Sequence, residues 1–360
     1  MTELSTPLQF THGPAWANRI ALAPLTNQQS HADGTLGADE YRWLTMRAEG
    51  GFAMTMTCAA HVQAAGQGFP GQLGAWSDAH LSGLARLAHG IAEHGSVSCL
   101  QLHHAGRRAM PALSGVPAVC PWDDARSGAR ALSTAEVGQL VQDFIAAARR
   151  AEQAGFHGVE LHGAHGYILT QFLDATHNQR RDGYGGDFEQ RTRIVFELID
   201  GIRAATGARF QLGLRLSPER YGIVMSDALA LARRLLADDR LDWLDMSLWN
   251  CFKTPEDEAY ADRPLIEHFS ALPRGRTRLG VAGHILDAAT ATRCLERGAD
   301  FVLVGRGAML HHDFARRALA DPLFRSVEQP VRRAHLRTEG LGPEFIRYVE
   351  NTWPHFVAGE

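Results

Sequence analysis

The chain lacks any apolar run near the roughly 20 residues that a membrane-spanning helix needs, so no membrane partner is expected. It also lacks a surplus of positive charge. Its 36 Lys and Arg against 40 Asp and Glu leave a formal charge of −4, no footing for nucleic acid or an anionic surface. Cysteine is scarce, and Cys58, Cys99, Cys120, Cys251 and Cys294 contain no CxxC pair. That spacing excludes a disulfide framework and an iron–sulfur site, and reads as reduced cytosolic thiols. The opening Met1-Thr2-Glu3-Leu4 has no basic-then-apolar export pattern, so a cytoplasmic protein is expected. There is no internal repeat and no low-complexity tract. No GxGxxG follows the first strand, which runs instead into Ala23-Pro24-Leu25-Thr26-Asn27; this argues against an open dinucleotide-binding sheet.

What is present is an ordinary globular composition, 45% hydrophobic and 21% charged over 360 residues. Short apolar runs alternate with helical patterns. The runs predict strands at Arg19–Ala23, Phe52–Thr57, Ser96–Leu102, Gly158–Leu161, Phe210–Leu216, Trp243–Ser247, Arg278–Ala282 and Phe301–Val304. Helices are predicted over Ser77–His94, from Ser133 to about Gln153, and over Asp187–Ala205, Ser226–Asp238, Leu286–Arg297, Ala308–Ala320 and Pro343–Glu350. Ser133 with Glu136 forms a capping box, and Gly155 supplies a stop. Eight strands alternating with helices predict an α/β fold, a (β/α)8 TIM barrel, in one domain over 1–360. Two connections, 103–132 and 249–264, are long enough to be capping loops over the C-terminal face. The acidic patch Glu256, Asp257, Glu258 in the second reads as solvated surface. From 332 to 360 runs a tail whose Tyr348 and Trp353 suit packing on a neighbouring copy or crossing into its pocket, as in a homo-oligomer.

In such a barrel the residues just past the strand ends converge on one mouth. Here they are Thr26, Ala59, Gln101, His162 with His165, Arg215, Ser247, Gly283, and Gly305 with Arg306. The set suits a planar, phosphate-bearing cofactor. Gly283 and Gly305-Arg306 occupy the usual phosphate position, Gln101 suits a pyrimidine-like edge, and Arg215 can face developing negative charge. The run His162-Gly-Ala-His165-Gly-Tyr167 places two imidazole donors and a phenol together. Two donors on one oxygen polarise a carbonyl, worth ~3 kcal/mol each when well placed, and a phenol of pKa near ~10 donates a proton at neutral pH. Taken alone, the histidines read sooner as a structural pair or part of a metal site. A metal would need further ligands, and Glu160 would face the barrel interior or wall. No metal is expected. His103 and His104 read as support, while Trp122, Trp249, Phe252 and Trp353 suit lid packing and pocket wall equally.

The chain resembles the old yellow enzyme family of FMN-dependent ene-reductases, the NADH:flavin oxidoreductases. The likeness lies in Asn18-Arg19-Ile20-Ala21-Leu22-Ala23-Pro24-Leu25-Thr26, Leu73-Gly74-Ala75-Trp76-Ser77-Asp78, Gln101-Leu102-His103-His104-Ala105-Gly106-Arg107, Gly158 through Tyr167, Asn178 through Gly186, and Val302-Leu303-Val304-Gly305-Arg306. The resemblance implies bound FMN, with NADH or NADPH as hydride donor and a small enone or nitro compound as substrate. It implies Pro24, Leu25 and Thr26 beneath the flavin ring, with Thr26 toward the C4 carbonyl. Ala59 and Gln101 would meet its polar edge, Arg215 would lie near N1, and Gly283, Gly305 and Arg306 would hold the phosphate. His162 and His165 would grip substrate oxygen, and Tyr167 would protonate carbon. Departures are Thr26 and Gln28, where some relatives carry cysteine and tyrosine, Cys58 where some carry glutamate, and Gln190 where asparagine is common. Alternatives within the family are amine or xenobiotic oxidoreductases; outside it stand a metal-dependent barrel hydrolase and a non-catalytic flavin-binding protein.

Overall fold

The computed structural model describes residues 3–358, so Met1 and Thr2 of the N-terminal expectation and residues 359 and 360 of the tail lie outside it. Eight strands form a closed parallel barrel: β1 Ile20–Leu22, β2 Met54–His61, β3 Val97–His103, β4 Gly158–Gly163, β5 Gln211–Leu216, β6 Trp243–Ser247, β7 Arg278–Ala282 and β8 Phe301–Val304. Each pairs with its successor, and β1 closes the ring against β8. Their side chains are buried almost throughout, which is why they read as continuous apolar runs.

The helices α1 Ala38–Glu49, α2 Leu81–Ala92, α3 Thr134–Gln153, α4 Phe188–Ala205, α5 Met225–Leu236, α6 Leu265–Ser270, α7 Ala288–Glu296 and α8 Phe314–Ala320 follow the strands in turn. The capping box at Ser133 and Glu136 is present, and α3 buries Val137, Leu140, Val141, Phe144, Ala147, Ala148 and Ala151 along one stripe. Gly155, at φ 88°, takes the left-handed turn that ends it. The helix expected over Ala308–Ala320 is two pieces, Arg306–Leu310 and α8. The break falls at His311, whose Nε2 accepts the Val327 N–H at 3.0 Å and so ties the junction to the chain beyond α8. Among the described residues no helix is long and apolar enough to cross a membrane.

The two ends of the barrel differ. At the strand N-termini, residues before β1 fold back as a plug, with Leu8 bridged to Trp16. The Trp16 ring centroid lies 4.7 Å from Phe10, 5.5 Å from Trp243 and 4.9 Å from Phe301. At the opposite end the segment 103–132 carries a short helix and the paired stretches Val119–Cys120 and Arg130–Ala131. It is clasped from the loop after β4: Arg180 donates to the carbonyls of Pro121, at 2.9 Å, and Leu132. Asn178 donates to Phe172 O at 2.6 Å and Tyr184 O at 2.7 Å, folding that loop on itself. The segment 249–264 is tied down by Arg220–Glu256 and Lys253–Glu219 pairs. The acidic patch expected to be plain solvated surface therefore includes an anchoring residue, Glu256.

Candidate active site

At the C-terminal mouth a cavity of about 400 Å³ is walled by Ala23, Pro24 and Leu25 after β1, Arg215, Ser247 and Trp249, Gly283 and His284, and Gly305 with Arg306. His165 from the loop after β4 and Trp353 from the tail complete it. The wall thus gathers Pro24, Leu25, Arg215, Gly283, Gly305 and Arg306 from the expected set. Thr26, Ala59, Gln101, His162 and Tyr167 are not part of it. Thr26 is half-buried one residue beyond Leu25, and Ala59 faces Gln101 in the β2–β3 register. Of the four aromatic residues left open, Trp249 and Trp353 reach the wall. Trp122 instead stacks on His177 at 5.4 Å, and Phe252 lies under the Arg293 guanidinium at 3.7 Å.

Two observations make this cavity fit FMN. A Cβ at Gly305 would meet only Leu25 and Ala23 at 3.4 and 3.9 Å, so a side chain there would fill the cavity. Beside it the Arg306 guanidinium reaches His284 Nδ1 at 2.6 Å and has no carboxylate partner among the described residues, as a cation kept for a phosphate would. Gly283 is glycine for another reason: a Cβ there would lie 2.9 Å from Cys251 N, in the backbone after β6.

His165 lines this cavity, and His162 packs against His165. Buried at the end of β4, His162 accepts the Ala164 N–H on Nδ1 at 3.3 Å, which leaves Nε2 as the protonated nitrogen. His165, in the left-handed region at φ 62°, has Nε2 2.8 Å from Ser247 Oγ. Ser247 Oγ accepts from Arg215 Nη2 at 3.2 Å, so its own proton is free for His165, leaving Nδ1–H of that ring as donor. The two rings are 5.1 Å apart at 87°. Tyr167 packs edge-on against His103 at 4.3 Å and His162 at 5.1 Å. Burial pushes all three histidines well below their ordinary pKa, reinforced by neighbouring imidazoles, Arg215 and Arg108. They are neutral at pH 7, and neutral imidazole still donates. Burial raises the Tyr167 phenol, with Arg108 opposing, so it stays protonated. The Arg108 guanidinium lies 4.6 Å from the Tyr167 ring and donates to His165 O at 2.6 Å.

Several participants escape sequence reasoning. Gln72 donates to Ala59 O at 2.7 Å and sits 3.0 Å from His103 Nδ1, fixing both. Glu40 of α1 is buried behind Thr26 and Ala59, accepting from Asn27 at 3.2 Å, from Ser30, and from Cys58 Sγ at 2.9 Å. A carboxyl thus reaches the position of Cys58 from the helix. Burial raises it. Below the cavity, Glu160 accepts from Gln101 Nε2 and from Trp243 Nε1, each at 2.9 Å. Gly213 makes that possible, since a Cβ there would lie 2.0 Å from the indole that crosses β5. One residue type per strand carries no mark of these cross-strand meetings.

Fold and cavity together give a barrel whose mouth carries an open wall with two glycines and an arginine without a carboxylate partner, beside paired imidazoles and a phenol. The sequence matches the NADH:flavin oxidoreductase / NADH oxidase family over residues 3–321, and the chain belongs to that family. It is 33% identical over 314 residues to the probable NADH-dependent flavin oxidoreductase YqiG of Bacillus subtilis, covering 84% of each chain. Among solved structures it is similar to the old yellow enzyme homologue from Zymomonas mobilis, with a TM-score of 0.77, 28% identity and 91% and 95% of the two chains covered. Morphinone reductase aligns with a TM-score of 0.78 at 26% identity, covering 93% and 94%. The NADH:acrylate oxidoreductase of Vibrio harveyi is 32% identical over 89% of this chain, which spans only 33% of that longer protein. The protein is an FMN-dependent NAD(P)H:flavin oxidoreductase of the old yellow enzyme family.

Proposed function

We propose that this protein reduces the electron-poor C=C bond of α,β-unsaturated carbonyl or nitro compounds, with NADH or NADPH as donor, in alternating half-reactions at one face of the cofactor. Bound FMN supplies the two-electron carrier chemistry that no side chain can perform. Pro24 and Leu25 would support its ring, with Thr26, Ala59 and Gln101 along its polar edge, Arg215 at the pyrimidine end, and Gly283, Gly305 and Arg306 at the phosphate. His162 Nε2–H and His165 Nδ1–H would donate to the activating oxygen of the substrate. As negative charge grows on that oxygen the two donors stabilise it more than in the ground state, which is what lowers a barrier. Tyr167 would then deliver its proton to carbon, and Arg108 beside it would stabilise the phenolate left behind.

The observation that carries this reading is the neutral imidazole pair with a protonated phenol packed against it at the cavity edge. Its test is anaerobic reduction of the FMN-loaded protein by each nicotinamide, followed by reoxidation with cyclohexenone, maleimide and a nitroalkene. His162→Ala with His165→Ala should slow reoxidation by at least ~100-fold, from the ~10²–10³ lost per oxyanion donor, while FMN stays bound. Unchanged reoxidation in that double variant would overturn the assignment.

A further inference from the structure

Beneath the cavity two buried carboxyl groups share one guanidinium. Arg215 is on the cavity wall, and its Nε lies 3.0 Å from Asp245 Oδ2. The contact is close in charge but misaligned: neither Arg215 Nε nor either oxygen of Asp245 makes a hydrogen bond. Asp245 is fully buried. The titratable and charged groups around it are Glu160 on β4, Arg215 on β5 and Cys251 after β6, with Cys99 on β3 against Glu160. Opposite Asp245 on β7 is Gly280, whose missing side chain is replaced by the Phe301 ring of β8, 2.3 Å from where a Cβ would stand. That side is therefore apolar, and no neutral donor among the described residues bonds Asp245.

Two carboxylates cannot both ionise cheaply in such a shell against one cation. Asp245 faces the Arg215 guanidinium, whereas Glu160 has only neutral N–H donors, which favour its carboxylate less than a cation favours that of Asp245; the proton therefore belongs on Glu160 and the charge on Asp245. Consistent with this, burial and then the neighbouring Asp245 raise Glu160. Burial raises Asp245 as well, with Arg215 opposing. In the oxidised state the Arg215 charge is thus already engaged by Asp245.

We propose that Asp245 takes up one proton when the cofactor in the cavity is reduced and releases it on reoxidation, freeing Arg215 to face the added negative charge. Asp245 is in this sense a positioning residue that acts through Arg215. The balance is simple: the hydride of NADH brings two electrons and one proton to the cofactor, and solvent brings one further proton to form an O–H bond on Asp245. A unit charge added across Arg215 raises the proton affinity of a carboxylate several ångströms behind it by about 10- to 100-fold at the effective dielectric of protein sites. The inference rests on FMN occupying the cavity, and is independent of which substrate is reduced later.

The experiment mixes FMN-loaded protein anaerobically with one equivalent of NADH in weakly buffered solution near pH 7 containing an indicator dye. Wild type should take up about 0.4–0.8 proton per flavin, the range a 10- to 100-fold rise in proton affinity from a pKa of about 6 implies near pH 7, Asp245→Asn nearly none, and Glu160→Gln, which mimics a protonated Glu160, as much as wild type. In parallel, the midpoint potential should fall by ~59 mV per pH unit in wild type and by ~30 mV in Asp245→Asn. No uptake by wild type, or undiminished uptake by Asp245→Asn, overturns the proposal, the latter because the proton then lands on the flavin itself. If Asp245→Asn does not fold, Glu160→Gln decides: lost uptake there assigns the proton to Glu160 and overturns it equally. A flavin that is reduced with proton uptake but never reoxidised by an enone sinks only the substrate reading; a chain that holds no FMN sinks both.

Discussion

Asp242 and Asp245 stand three residues apart around the start of β6, both buried, in opposite surroundings. Asp242, at the barrel floor, accepts the Leu212 N–H at 2.9 Å, Arg203 Nη2 at 2.6 Å and the His12 N–H at 3.1 Å, and meets His12 Nδ1 at 3.0 Å. Asp245, toward the mouth, accepts no hydrogen bond. One carboxylate knits the N-terminal plug, β5 and α4 together; the other is held ready. The backbone divides the same way. The described non-glycine residues with left-handed φ are Gln28, His165, Arg220, Tyr221, Trp249 and His284, all in loops that follow β1, β4, β5, β6 or β7 at the mouth. Left-handed non-glycine residues collect at the mouth, and the Asp245 carboxylate, without a hydrogen bond, lies on that side, whereas Asp242 at the opposite end is fully bonded.

The sharpest way to break this contrast is at Asp242. Replacement by Ala leaves Arg203 Nη2 and two backbone N–H groups without their partner in the floor and should cost about 3–5 kcal/mol, read as a lower urea midpoint. A loss below ~1 kcal/mol would mean that the floor is not held as its hydrogen bonds imply. At Asp245 the expectation is reversed. Because the Glu160 and Asp245 carboxyls are raised in the folded state, the native protein holds more protons than the unfolded chain above the ordinary carboxylate range. Stability is then full at low pH and is lost as pH rises through the raised values, by about 1–3 kcal/mol between about pH 5 and pH 8. Asp245→Asn should flatten that decline in urea titrations at the two pH values; a decline as steep as wild type would show that Asp245 does not contribute to it. The smallest effect lies in the mouth backbone. Gln28→Gly relieves a left-handed residue and should raise stability by about 0.5 kcal/mol, the steric gain being partly offset by a floppier unfolded chain. A drop in melting temperature would count against strain at that loop.

How much of this was written in the sequence depends on range. All eight strands stand where apolar runs predict them, because parallel barrel strands are buried on both faces. By contrast α1 escaped notice, since its inner face carries Glu40 and Arg47 beside Trp43, Leu44 and Ala48, and the charges blur the apolar stripe. Within the site, His162, His165 and Tyr167 are close in sequence and therefore visible as a group. The set Gln101, Glu160, Trp243, Arg215 and Asp245 is created by register between β3, β4, β5 and β6, and no local pattern announces it. Trp353 reaches the cavity from beyond the last barrel strand, the pocket-wall role that the sequence left level with lid packing.

The aromatic plug at the floor has a bearing on traffic as well as on stability. With Phe10, Trp16, Trp243 and Phe301 packed together at the strand N-termini, the side of the barrel away from the cavity is aromatic and apolar. A proton bound for Asp245 then arrives from the mouth, along the Arg215 wall of the cavity.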